Sequence, residues 1–373
     1  MFVAITNTPR DYAWGSAAAI PRLLGTPETG RPQAELWLGT HPGSPSQTPD
    51  GSLADLTTLP FLLKVLAAAS PLSLQAHPSI AQAVEGFARE NALGIPLDAA
   101  NRNYKDELHK PELIYALTPF RALCGFRPAS ETGAAIERLL GAVPGDAPLN
   151  GWLDRLGDDD DIRAVFEWLL SRGPGVDELV AALVSAAALV DGPHYTLVAE
   201  LAAAYPGDPG IAISLMLNLA ELEPGQVLFL PAGNIHAYIE GLGIELMAAS
   251  DNVLRGGLTP KHVDVPELLS VLGFTPLPVP YLAPTAIAAG VDSYSPVPDF
   301  RLMRITDDAS VSLAADAILL CTDGAFEVSG HQVARGDAYF VSSEEGVLSV
   351  SGAGELFVAT AGTPAEELST LNG

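Results

Sequence analysis

Three short segments hold most of the residue types that could do chemistry. In PLSLQAHPS, a strand over residues 72–77 would set Ser73, Gln75 and His77 on one face and Leu72, Leu74 and Ala76 on the other, because side chains alternate along a strand. One face is then wholly polar and the other wholly apolar, which suits a strand lining a barrel mouth and equally an ordinary half-exposed strand. In NYKDELHKPELIYAL, Lys110 and Glu112 stand at strand spacing around Pro111, which cannot donate to a ladder and so marks a strand start or edge. Glu112 opens an apolar run, an expensive place for a carboxylate unless it is paired or bound to a cation. VLFLPAGNIHAYIEGLGIELMA presents His236 after a turn, Tyr238 two residues on along the same face, and Glu245 on the next strand. Neutral imidazole and carboxylate oxygen are usual zinc ligands. A glutamine carbonyl is a less usual one, and it leaves a site more positive than a second carboxylate would. Each of these residues alone also reads as a polar group satisfied within a strand.

The lysines sharpen the picture. There are four against fifteen arginines, and Lys64, Lys105, Lys110 and Lys261 all fall in the two regions that hold or flank the segments above. A formal net charge of −26 disfavours nucleic acid as a partner, since duplex binding depends on neutralising phosphates. Any phosphate site must therefore be locally basic. Cys124 and Cys321 sit in separate apolar runs, as buried free thiols in a reducing compartment would, and two cysteines cannot build a cysteine-rich zinc module. The start MFVAITNTPR lacks a basic stretch, apolar run and small-residue cleavage site. The longest apolar stretch, Leu179 to Val190, is about half a membrane span. The expectation is a cytoplasmic protein without membrane contact.

These residues need elements to position them. Up to about Arg127 the apolar runs FLLKVL, ELIYAL and RALCGF are separated by Pro, Gly and Asp clusters, the punctuation of antiparallel strands. One helix interrupts them, with Ser79 and Gln82 spaced as a capping box. From Ser130 to about Tyr205 the period becomes helical in SETGAAIERLLGA, DIRAVFEWLLSR, DELVAALVSAAALV and HYTLVAELAAAY. Strands return in ISLMLNLAEL, GQVLFL, IHAYIE and GIELMA, and TPLPVPYLAP reads as a linker before a last stretch of short strands. The fold expected is mainly β with a helical insertion. Its units are a catalytic β domain over 1–129 and 209–282, a helical insertion over 130–208, and a C-terminal β domain over 283–373.

PLSLQAHP, NYKDELHKPELIYALTPF, PAGNIHAYIEG and SDNVLRGGLTPKHVDVPELL, with DYAWG and AELWLGTHP nearer the start, closely resemble the type I mannose-6-phosphate isomerase family. The likeness runs from about residue 10 to 270 in order and continues more loosely beyond. It implies cupin-type (jelly-roll) β barrels at both ends of the chain and one zinc ion per chain held by Gln75, His77, Glu112 and His236. It further implies interconversion of mannose 6-phosphate and fructose 6-phosphate, with Arg255 catalytic and the phosphate met near Ser73, Arg255 and Lys261. The partner implied is a small hexose 6-phosphate, within mannose metabolism and GDP-mannose synthesis, and a monomer is expected. Asp106-Glu107 departs slightly from the commoner neighbourhood of the HKPE run. No G-x-S-x-G, G-x-x-x-x-G-K or G-x-G-x-x-G motif is present, so side chains must hold the phosphate.

Such an isomerisation moves a proton between C2 and C1, and its barrier lies in removing a weakly acidic C–H proton. Lys110, His109, Glu245, Tyr238 and Lys64 are the candidates for that shuttle, through a cis-enediolate. The rival readings are a metal-dependent isomerase of another hexose phosphate and a non-catalytic sugar-phosphate-binding cupin, which would dispense with Arg255 or Lys110.

Overall fold

A computed structural model describes residues 1–362, in which strands dominate and most helices lie between residues 129 and 215. The strand Phe61–Ala68 (FLLKVLAA) is buried at every position. Its odd-numbered residues Phe61, Leu63, Val65 and Ala67 pack into one core cluster, while Leu66 and Ala68 join another on the opposite face. A strand covered on both sides has no need of polar alternation, so Lys64 in its middle stands out.

That strand lies near one edge of a nine-stranded sheet ordered Val227–Leu230, Glu112–Ala116, His236–Ala248, Phe61–Ala68, Glu35–Leu38. All its pairings are antiparallel. The thirteen-residue strand His236–Ala248 serves two neighbourhoods. Its later half pairs with Phe61–Ala68 and Glu112–Ala116, and its start pairs with Gln75–Ala76 and Phe120–Phe126. The strand expected over 72–77 contracts to Gln75–Ala76, yet the alternation holds: Leu74 and Ala76 are fully buried in the core, and Ser73 and Gln75 are half-buried on the other side.

A second nine-stranded sheet follows the order Phe2–Ala4, Ala338–Val341, Ala317–Val328, Val347–Thr360, Phe300–Ile305, Val291–Val297, Thr285–Ala288. Residues 1–129 thus touch both sheets, because Phe2–Ala4 pairs with Ala338–Val341. The sheets share a core in which Phe61, Leu63, Leu113, Ile244 and Leu246 meet Phe300, Leu302, Ile318, Leu320 and Phe357. Cys124 and Cys321 are free and buried, one in each sheet. Among the described residues no helix is long and apolar enough to cross a membrane.

Ser79 caps the helix Ile80–Ala92 through a complete capping box with Gln82. The helices Ala129–Ala142, Ile162–Leu170, Val176–Ala187 and Pro193–Ala204 pack around Trp152, Phe166, Leu179 and Leu183. Three features differ from the sequence reading. Ala147–Arg155 is a further helix, capped by Asp146, whose Asn150 and Gly151 blur its helical period. ISLMLNLAEL is not one strand: residues Gly210–Leu215 are helical and only Leu217–Leu222 extends. The Pro-rich stretch is fastened rather than free, since Pro280 and Leu282 exchange backbone bonds with Phe229 and Val227 at the edge of the first sheet.

Candidate functional site

Cross-strand register assembles the site. His236 stands opposite Gln75, and Gln75 opposite Arg255, so three polar side chains from distant segments share one row. A second row sets Trp37 opposite Lys64 and Lys64 opposite Glu245. Glu112 begins its strand opposite Met247, two residues from Glu245. The long strand His236–Ala248 therefore joins the two rows.

At the centre His77, Glu112 and His236 are each 1% exposed, with candidate ligand atoms all within 4.8 Å of one another. His77 Nε2 approaches Glu112 Oε1 at 3.4 Å and His236 Nε2 approaches Glu112 Oε2 at 3.2 Å. His77 Nε2 and Glu112 Oε2 nonetheless lack any hydrogen-bond partner of proper geometry. Buried polar atoms left so are costly. Their convergence without mutual hydrogen bonding suits a cation between them. The far sides of both rings agree: His77 Nδ1 lies 2.8 Å from the Asn252 carbonyl and His236 Nδ1 lies 3.1 Å from the Asn234 carbonyl. A proton on each Nδ1 donates to its carbonyl, which leaves both Nε2 lone pairs facing inward. Burial holds the His77 imidazole down at about 4, with Glu112 opposing, so the ring is neutral as a ligand must be. Gln75 Nε2 lies 3.2 Å from His236 Nε2, and turning the amide over brings Oε1 to the same place. The donor set is two imidazoles, a carboxylate and an amide oxygen, a combination suited to zinc.

Around this centre lie paired charges. Lys110 Nζ is 2.7 Å from Glu112 Oε1. Although burial opposes the charge, Lys110, His77 and His236 hold the Glu112 carboxyl well below the usual carboxylate range. Lys64 Nζ reaches Glu245 at 2.9 Å and Glu35 at 3.6 Å. Burial works against that ammonium, but Glu245 and Glu35 outweigh it and raise it above the ordinary lysine range. The Tyr238 hydroxyl is buried without a hydrogen-bond partner, its ring 6.1 Å from that of His236, and burial beside Glu245 pushes it well up. Arg255 Nη1 donates to Ser73 Oγ at 2.9 Å, and Lys261, on the exposed loop beyond, has its ammonium lowered by Arg255, burial and Lys105.

The structure thus brings Gln75, His77, Glu112, His236, Lys110 and Arg255 into one neighbourhood, with Lys64 and Glu245 on the adjoining row and Ser73 beside Arg255. His109 is directed elsewhere: its Nε2 lies 2.9 Å from Asp299 in the turn of the second sheet that joins Val291–Val297 to Phe300–Ile305. Several neighbours escaped the sequence reading. Glu35 accepts from the Trp37 indole at 2.8 Å and is buried in ELWL, the same anomaly of a carboxylate in an apolar strand that drew attention to Glu112. Asp251 meets His41 at 3.4 Å, and Asn252, fully buried, gathers the backbone of Lys105, Asp106 and Leu108. No local pattern points to either.

Comparison with known proteins places this geometry in a family. A profile described as "Phosphomannose isomerase type I, catalytic domain" matches residues 2–58 and 54–129. The mannose-6-phosphate isomerase of Escherichia coli (strain K12) is 37% identical over 385 residues, covering 94% of this chain and 97% of that protein. The Homo sapiens mannose-6-phosphate isomerase is 32% identical over 405 residues, covering 91% of this chain and 92% of that one. A zinc-bound crystal structure of mannose 6-phosphate isomerase superposes with a TM-score of 0.88 at 35% identity, over 97% of this chain and 99% of that one.

Proposed function

The chain belongs to the type I mannose-6-phosphate isomerase family and is a zinc-dependent aldose–ketose isomerase of mannose 6-phosphate and fructose 6-phosphate; we propose that Gln75, His77, Glu112 and His236 hold its one zinc ion. The observation that carries this assignment is the convergence of unpartnered, fully buried His77 Nε2 and Glu112 Oε2 beside His236. When bound, zinc supplies Lewis-acid polarisation of the sugar oxygens and eases the negative charge that develops as the C–H proton leaves. The Asn252 and Asn234 carbonyls keep both imidazoles turned toward it.

The chain's own groups do the rest. Ser73, Arg255 and Lys261 form the locally basic patch for the phosphate, with the planar Arg255 fork suited to an oxyanion. The proton crosses between C2 and C1 through a cis-enediolate. Lys64 is tied to two carboxylates and acts as a fixed positive charge, and His109 is engaged by Asp299, so the shuttle falls to Lys110, Glu245 or Tyr238. The Tyr238 hydroxyl, kept protonated by burial beside Glu245, would serve that shuttle as a proton donor at its oxygen.

The same reading carries the cupin-type description of both sheets and the division into 1–129 with 209–282, 130–208 and 283–373. What supports it is antiparallel pairing throughout both sheets and the run of helices inserted between two strands of the first, Phe120–Phe126 and Leu217–Leu222. It also takes the protein as a cytoplasmic monomer acting on a small sugar phosphate. Running the reaction from mannose 6-phosphate in D₂O, with and without chelator, tests the mechanism. Deuterium at C1 of fructose 6-phosphate, and activity lost on chelation and regained with zinc, are expected. Unlabelled product after many turnovers, together with turnover retained at full zinc occupancy in the alanine variants of Lys110, Glu245 and Tyr238, overturns the base-mediated route, and activity in metal-free protein overturns the metal assignment.

A further inference from the structure

The helical region ends in YPGDPG, and its Asp208 does something none of the site residues explains. Asp208 Oδ1 accepts from the Gly210 amide at 2.7 Å and from the Leu258 amide, fifty residues on, at 2.9 Å. Its Oδ2 accepts from the Thr259 amide at 3.5 Å. One carboxylate thus ties the end of the helical region to the loop GGLTPK that separates Arg255 from Lys261.

That loop is held in a shape it would not adopt freely. Leu258 is fully buried at φ 53, a left-handed conformation disfavoured for a residue with a branched side chain. Gly257 lies at φ 114, and a Cβ there would come within 3.1 Å of both Asp208 Oδ1 and the Gly210 Cα. The two backbones approach so closely that glycine is needed on each side of the carboxylate. From this anchored point the Gly256 amide and Gly257 carbonyl pair with Leu74, between Ser73 and Gln75, at 2.8 and 3.1 Å. Further on, Thr259 Oγ1 accepts from the Lys261 amide at 3.1 Å. Tyr205, three residues before Asp208, donates its hydroxyl to the Pro71 carbonyl at 2.7 Å, just ahead of Ser73. Both chain segments that carry the basic patch are therefore gripped from the same end of the helical region.

We propose that Asp208 is a positioning residue for substrate phosphate: it holds the loop 256–261 so that Lys261 converges with Arg255 and Ser73. The helical region thereby serves binding of the sugar phosphate without touching the reacting carbons. The inference rests on the phosphate reading of Lys261 given above, and a set of variants separates the two. In zinc-loaded protein, D208A raises KM for mannose 6-phosphate and the inhibition constant of inorganic phosphate together, roughly tenfold, the effect of losing hydrogen bonds to a charged group. Its kcat stays within about twofold. D208N, whose amide oxygen still accepts from Leu258 and Gly210, restores both constants to within about threefold. Adding K261A to D208A costs less than the product of the two separate effects, because both act on one contact. If K261A raises both constants and D208A raises neither, the phosphate reading stands and the positioning role falls. If K261A changes neither constant, the phosphate reading falls and the inference falls with it. A D208A loss confined to kcat, or D208N as impaired as D208A, also overturns it.

Discussion

The two nine-stranded sheets are alike in strand number and antiparallel pairing but opposite in what they bury. The first encloses Glu35, Lys64, Glu112, His236 and Glu245, all under a tenth exposed. In the second, among the described residues, the polar side chains buried to that degree are Ser293, Thr322 and Thr360, and the interior is Met303, Ile305, Leu319, Phe326, Val350 and Val358. A charge removed from water costs several kcal/mol unless geometry and hydrogen bonding compensate. The first sheet meets that cost by pairing every charge with an opposite one and by aiming three ligands at a single point. The second is scaffold, yet it is no bystander: it supplies more than a third of the shared core and, through Asp299, takes up His109.

If that contrast is right, the largest effect in the molecule comes from the first sheet. Glu112→Gln keeps the volume but removes the carboxylate that faces both imidazoles and Lys110. Turnover should fall by about 10³ or more, the scale of several kcal/mol of transition-state stabilisation. Zinc per chain, measured by elemental analysis, should fall with it. Stoichiometric zinc and near-native turnover in this variant would break the comparison at its centre.

The counterpart in the second sheet is Phe326→Ala. Phe326 is 2% exposed and packs among Val333, Val350 and Met303, so truncation leaves a cavity worth about 3–5 kcal/mol of stability. Its melting temperature should drop while kcat and KM, referred to folded protein, stay within about twofold of native. A selective loss of kcat at full folding would mean that the second sheet shapes the chemistry directly.

How much of this was legible beforehand follows the same division. Glu112 could be read because an ionisable group opened an apolar run, and Gln75 and His77 because alternation split polar from apolar cleanly. Glu35 carries the first of those signals as well, opening the buried run ELWL. The Asn252 and Asn234 carbonyls could not be read, since every residue has one and only the fold decides which faces an imidazole. Asp208 was equally hidden, because its meaning depends on amides fifty residues away. Among the elements, Gly210–Leu215 misled because its two isoleucines favour strands, and its helical shape is set by packing against the helices that precede it.

The smallest expected effect tests whether buried titratable groups outside the site obey the scaffold rule. His194 stands in the first turn of the helix Pro193–Ala204, its Nε2 3.4 Å from Arg127 Nη1. Burial first, and then the Arg127 charge, push the imidazole down to about 4, while the Leu217 backbone carbonyl, as an acceptor for the ring N–H, works the other way. The other groups facing this pair are Glu131 and Tyr195, which act on Arg127, and the Thr132 hydroxyl that accepts from Arg127 Nε. A histidine whose folded value lies below the ordinary ~6.5 binds its proton more readily in the unfolded chain. The stability contributed by the neutral ring is therefore complete above about pH 6.5 and is lost as pH falls toward 4. His194→Gln keeps a polar side chain but cannot take up the proton, so its melting temperature should fall less than that of the native protein across this window. The gap should be on the order of 1–3 °C, small because the group is partly solvated and the chain is long. Turnover near pH 7.5 should match native, since no zinc ligand or phosphate contact is disturbed. Comparing the two melting curves cancels the acid titration of the metal site, which both proteins share. Parallel curves from pH 7 to pH 4.5 would show that His194 takes up its proton in the folded protein as readily as in the unfolded chain, and that the flank of the first sheet tolerates a second cation beside Arg127 as its centre does not.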